Sequence, residues 1–360
     1  MPVPRPTATS GRRRTALGAV VLGCSALLAV SGCTSNTPAP APAASEPAAS
    51  SGTGTGSGND AAGQKVTIGF SAPAADHGWI ASITDQAKAT ASATSDVDLK
   101  IAAGTNDVNQ QISQVETFIN DKVDAIVILP FDGAALTTVA KKAMDAGIPV
   151  VNVDREFSDP NAARVTVLGD NYGMGVSAGQ YVCDQLQGKS DAVVAEIAGI
   201  DSLPLTQDRS KGFKDALGKC NQDVDNRVAA DFTVEGGEKA TSNLLQAAPK
   251  IDAIWNHDDD QGVGVLAAIK NANRNEFFMV GGAGSANAMR EIQSGSGVLK
   301  ATVIYPSTQG ADGVKLARLL VQKKGLSDIQ EVEVPRKVQL YAPVVTKDNV
   351  DQYLKTAFES

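Results

Sequence analysis

The sequence predicts an α/β protein of two doubly wound lobes, each a mostly parallel sheet with helices on both faces. Short β-branched runs alternate with longer helical periods from Lys65 onward, and the alternation occurs twice. Several of the runs are bare apolar stretches, as expected of strands covered on both sides. The chain is also rich in Ala, Val and Gly, with aromatics at only 4%, a composition suited to strand–helix alternation rather than a β-sandwich. At 360 residues it is long enough for two compact bodies.

The first series opens with a strand over 66–71 and a helix over 79–93, then a strand at 100–103. Ile112, Val115 and Ile119 mark one face of the next helix. The run 125–129 is a buried strand closed by Pro130. Leu136, Val139, Ala140, Ala143 and Met144 then form one buried helical stripe. Gly147 and Pro149 end that helix, and 150–153 is the next strand. Such βαβα order implies parallel pairing with right-handed crossovers.

The second series follows residues 164–168. Helices are expected at 172–186, 210–217, 240–247 and 262–271, and strands at 193–197, 227–230, 253–255, 278–280 and 302–304. No Gly-x-Gly-x-x-Gly follows a strand; Gly281-Gly282-Ala283-Gly284 has the wrong spacing, so nucleotide binding lacks its phosphate-cradling loop.

The amino-terminal segment reads as export and anchoring. Arg12-Arg13-Arg14 precedes an uncharged run over 16–30, shorter than the roughly 20 residues that span a bilayer. Val30-Ser31-Gly32-Cys33 resembles a bacterial lipobox, which implies that Cys33 carries lipid after residues 1–32 are removed. Arg13-Arg14-Thr15-Ala16-Leu17 resembles a twin-arginine signal without its bulky fourth residue, so general secretion and twin-arginine export both stay open. Residues 33–63, dominated by Pro, Ala, Ser, Gly and Thr, cannot bury enough apolar surface to fold and are expected to form a flexible tether. Together these features place the protein on the outer face of the cell membrane.

Loss of residues 1–32 with their four arginines takes the net charge from −8 to −12. An acidic body without a basic stripe argues against nucleic acid as partner. Two histidines, His77 and His257, leave little for a metal or histidine-based catalytic centre, and no metal or cofactor is expected. Cys183 and Cys220 remain in an oxidising compartment near predicted helix ends; a disulfide is the favoured reading, two separate buried thiols the other.

Several segments in order resemble the ribose- and galactofuranose-binding type of periplasmic binding protein (type 1) over 65–345. They are Ile68-Gly69-Phe70-Ser71 with Asp76-His77-Gly78-Trp79, then Val123-Asp124-Ala125-Ile126-Val127. Gly147-Ile148-Pro149 leading to Asp154-Arg155, Asp208-Arg209-Ser210-Lys211-Gly212-Phe213 and Asn256-His257-Asp258-Asp259 complete the set. The resemblance implies two lobes joined by a three-segment hinge, with crossings near Gly169, Pro306 and Val334. The first lobe is then 64–169 plus 306–333, and the second 170–305 plus 334–360. It further implies a monomeric solute-binding protein that delivers a sugar or polyol to an ABC permease. A sugar-sensing receptor subunit uses the same fold and stays open as an alternative; a hydrolase with paired carboxylates is a third class.

Doubly wound sheets bind ligands outside the carboxyl ends of their strands. Asp154 and Arg155 end a buried strand and can accept from one sugar hydroxyl and donate to another. Trp79 offers a flat face for the C–H side of a ring, with Asp76 as its polar neighbour and His77 at the rim. The resemblance adds Phe232 and Asp258 from the second lobe, with Asp259 as a cap or structural group. Gln207 stands where ribose binders carry arginine, Tyr305 where they carry glutamine at the crossing, and Ala283 where they carry aspartate. Gln207 and Tyr305 still offer hydrogen bonds; Ala283 does not. These departures shift the expected ligand from ribose toward another sugar, a sugar alcohol or an inositol.

Overall fold

The computed structural model describes residues 59–327, 329 and 333–360. The expected signal peptide (1–32), Cys24, the expected lipid-bearing Cys33 and most of the expected tether lie outside the described residues. No described helix is long and apolar enough to cross a membrane.

The first sheet is built from β1 (Val66–Ser71), β2 (Val97–Ile101), β3 (Ala125–Ile128), β4 (Val150–Val153) and β5 (Val165–Gly169), separated by α1 (Gly78–Ala93), α2 (Val108–Asn120) and α3 (Gly133–Asp145). The chain then enters α4 (Asn171–Gln185), β6 (Val194–Ala198), α5 (Pro204–Gly218), β7 (Asn226–Ala229), α6 (Val234–Ala247), β8 (Ala253–Asn256), α7 (Asp259–Asn271), β9 (Phe278–Ala283), α8 (Ala286–Ser294) and β10 (Leu299–Ile304). It closes with α9 (Gln309–Val321), β11 (Lys337–Leu340), β12 (Val344–Thr346) and α10 (Val350–Tyr353). Two six-stranded sheets result, in the orders β11-β5-β4-β3-β1-β2 and β12-β10-β9-β8-β6-β7. All pairings are parallel except β10 with β12.

The bare apolar runs are buried on both faces: every residue of β3, β4 and β8 is buried. One face of the first sheet packs Ile126, Ile128 and Val150 against Phe118, Leu136 and Val139. The other face joins a cluster that continues through Trp79 and Tyr305 to Met174, Phe213 and Trp255 of the second lobe. Short polar side chains set the helix starts: Asp107, Asp132, Asp170, Thr233, Asp258 and Ser285 each accept from amides of the first turn.

Four expectations need correction. The second strand is Val97–Ile101, not 100–103, because an edge strand with Asp98 and Lys100 turned to solvent lacks a bare apolar signature. The helix expected at 210–217 begins at Pro204, which occupies its first turn without loss of an internal hydrogen bond. Residues 337–340 pair with β5, so they belong to the first sheet and the third crossing falls at 341–343 rather than near Val334. The expected tether is fastened at its last residues. Arg318 donates to the carbonyls of Asn59 and Ala61 (2.5 and 2.8 Å), and Asp96 accepts from the Gly63 amide at 2.5 Å. Arg318 and Asp96 are themselves a buried bidentate pair at 2.7 Å, and the guanidinium holds the Asp96 carboxyl well below its ordinary range. Cys183 and Cys220 form a disulfide between the carboxyl-terminal ends of α4 and α5, with Cα atoms 6.0 Å apart.

Candidate functional site between the lobes

The parallel strands of both sheets point their carboxyl ends at the gap between the lobes, and unusual backbone collects there. Asp154 (φ 64°), Phe232 (φ 70°) and Ala283 (φ 85°) all occupy the left-handed region beyond or at strand ends. Aspartate tolerates that region, whereas for a bulky aromatic it is an outlier that the surroundings must enforce. The Phe232 ring lies against Gly199, where a methyl group would overlap it.

On the first lobe, β4 delivers Asp154 and Arg155, only 4% and 9% exposed. Arg155 donates through Nη1 to the Phe131 carbonyl at 2.7 Å, and its Nε lies 3.7 Å from Asp154 Oδ2 without a hydrogen-bond partner. Trp79, in the first turn of α1, is buried, and its indole Nε1 donates to the Tyr305 carbonyl at 3.1 Å. Its ring lies 5.4 Å from that of Tyr305, tilted by 41°.

Tyr305, at the second crossing, fills the centre. Its hydroxyl donates to Asp154 Oδ1 at 2.5 Å and accepts from Asn171 Nδ2 at 3.1 Å. Its ring rests on Gly169 at the first crossing, where a side chain would strike it.

On the second lobe, Asp258 follows β8 and caps α7 through Oδ1, which accepts from the amides of Asp260 and Gln261 (2.9 and 3.1 Å). Burial, reinforced by the charge of Asp260 and opposed by His77, pushes the Asp258 carboxyl up to about 6. Asp259 faces the interior instead, accepting from the amides of Gly282, Gly284 and Ser285 and from the Thr302 hydroxyl.

Trp79, Asp154, Arg155, Phe232, Asp258 and Tyr305 therefore line one cavity of about 20 Å³, together with His77, Ile80, Leu205 and Arg209. That volume holds about one water molecule. A chamber of about 450 Å³ adjoins it toward the hinge and shares Asp154, Arg155 and Leu205. A sugar ring enters only if the lobes part or these side chains swing.

Two expected residues are not brought into the cavity. Asp76 is half-exposed and paired with His77 Nδ1 (2.6 Å) and Asn106 (2.8 Å) beside it. Gln207 is exposed and donates to the Asp201 carbonyl at 3.2 Å. Once α5 starts at Pro204, Leu205 and Arg209 share a face four residues apart, and Gln207 falls on the opposite side. Arg209 is the residue that sequence reasoning missed. It is 3% exposed and donates to Asn171 Oδ1 (2.9 Å) and the His257 carbonyl (3.1 Å). Its guanidinium stacks over the rings of Tyr305 and Phe232, 4.5 and 5.8 Å from their centroids. Behind it lies buried His257, whose Nε2 is 2.9 Å from Glu196.

The pattern of the periplasmic binding protein domain matches residues 68–325, which takes in both sheets up to α9. The chain belongs to the periplasmic binding protein family. Within it, the chain is 34% identical over 193 residues to the ribose import binding protein of Bacillus subtilis (strain 168), covering 54% of this chain and 62% of that one. It is 33% identical over 213 residues to the galactofuranose-binding protein of Escherichia coli (strain K12), covering 58% and 66%. These matches span less than two thirds of either relative's length. A solute-binding protein of Bacillus halodurans C-125 crystallised with myo-inositol superposes with a TM-score of 0.72 at 25% identity, covering 82% of this chain and 99% of that one. Two α/β lobes with a cleft between them are thus the family architecture, and the cavity described above lies in that cleft.

Proposed function

We propose that this periplasmic binding protein captures a small polyhydroxylated ligand, such as a sugar, sugar alcohol or inositol, between its lobes and presents it to an ABC importer. The reading is carried by one observation: each lobe supplies a buried carboxylate and a buried guanidinium to the same cavity, Asp154 with Arg155 from one side and Asp258 with Arg209 from the other. Vicinal hydroxyls are paired donors and acceptors, and such groups match them at roughly 1.5–3 kcal/mol per charged hydrogen bond. Trp79 and Phe232 supply apolar faces for the C–H side of the ring. The names of the ribose, galactofuranose and myo-inositol binders support the ligand class.

Ligand entry replaces the internal bond between the Tyr305 hydroxyl and Asp154. Closure over the ligand is favoured because only the closed form lets it contact both walls. Delivery rather than chemistry follows from this role, with the protein held to the outer face of the cell membrane by lipid on Cys33. Calorimetry of the purified protein against pentoses, hexoses, polyols and inositols tests the reading: at least one should bind, and Arg209→Leu should weaken it by roughly tenfold or more. Mass spectrometry of the membrane-extracted protein tests the anchor, which predicts a diacylglyceryl group on Cys33. Failure of every polyol to bind would defeat the proposal.

A further inference from the structure

α1 lacks a cap from its own lobe. His77 occupies the capping position, yet its side chain makes no hydrogen bond to the first turn and is turned to Asp76 instead. The first amides of a helix have no partner within it, and an uncapped start weakens it. The missing acceptor comes from the other lobe. Asp260, the second residue of α7, accepts from the Trp79 amide through Oδ2 at 2.9 Å. The two residues are 181 positions apart, and the bond is buried. Asp260 is 2% exposed, and Oδ1 makes no hydrogen bond of its own. The approach depends on Gly78: a methyl group there would stand 2.7 Å from Asp260 Oδ1 and 2.9 Å from Ser360 Cα, and would overlap the Glu359 carbonyl.

We propose that Asp260 is a cross-lobe latch that caps α1 and sets the position of Trp79 only when the lobes are shut. It acts through Trp79 and is therefore a positioning residue rather than a ligand contact. In the open form the carboxylate returns to water and the first turn of α1 loses its partner. The bond thus favours the closed form whether or not ligand is present. Its consequence for binding rests on the function proposed above; its existence does not.

The test uses the full chain without ligand, with hydrogen–deuterium exchange read at the Trp79 amide. Asp260→Ala and Gly78→Ala should each speed exchange there by roughly tenfold. Asp260→Asn, which keeps an acceptor, should change it by less than about threefold. Exchange within α7 and β9 should stay as in the parent protein. Unchanged exchange at Trp79 in both alanine variants would overturn the latch. Faster exchange throughout α7 in Asp260→Ala would also overturn it, because the residue would then serve only its own lobe. With a polyol that the parent protein binds, Asp260→Ala should weaken affinity by roughly tenfold, since binding is drawn from a smaller closed population. Unchanged affinity would remove the latch from the binding equilibrium. If no polyol binds, the proposed function fails while the exchange result still decides the latch.

Discussion

Replacing Asp258 by asparagine should remove a pH dependence of stability that the fold imposes. The carboxylate is 5% exposed, and burial together with the neighbouring Asp260 raises its pKa from 3.8 to about 6. Below about pH 4 the group is protonated in both folded and unfolded chains and carries no penalty. Between about pH 4 and 6 the unfolded chain releases the proton while the folded chain retains it, so stability falls as pH rises. Above about pH 6 the full penalty applies; at 1.36 kcal/mol per unit it amounts to about 3 kcal/mol. Asparagine caps a helix about as well as aspartate, so the Oδ1 bonds to α7 are retained in kind. Urea titrations at about pH 4.5 and about pH 7 measure the effect. Fluorescence of Trp255, buried in β8, follows the second lobe, and Trp79 follows the first. Part of the penalty is already present at about pH 4.5, so the asparagine variant should gain about 2 kcal/mol on the parent across that interval. Parallel profiles would show that Asp258 is not held in its buried, charge-crowded setting.

Gln207→Ala should leave ligand affinity unchanged, whereas Arg209→Leu should weaken it, and calorimetry separates the two. Reducing Cys183–Cys220, which closes a span of 37 residues, should cost about 4 kcal/mol, measured by denaturation with and without reductant. Arg318→Ala leaves the buried Asp96 charge unpaired and should destabilise the first lobe by about 3–5 kcal/mol. Because the pair depresses the Asp96 pKa, its contribution should be present above about pH 4 and be lost as the pH falls further.

The buried strands were legible because a strand covered on both faces must read as an apolar run, as β3 and β4 do. Edge strands carry no such mark. Val97–Ile101 and Lys337–Leu340 alternate between half-buried and exposed residues, so the first was misplaced and the second was assigned to the wrong lobe. Asp154, Arg155, Trp79 and Asp258 were legible because each lies beyond the carboxyl end of a strand. Arg209 was hidden by a helix start placed six residues too late, which left the face of α5 undefined. The reach of Asp260 to Trp79 has no local sequence signature, because the two residues stand 181 positions apart on different lobes.

A crystal structure of the complex with whichever polyol binds in calorimetry decides whether both lobes hold the ligand. The ligand should lie between Trp79 and Phe232, hydrogen-bonded to Asp154 or Arg155 on one side and to Asp258 or Arg209 on the other. A ligand held by one lobe alone, or seated away from these residues, would contradict the account.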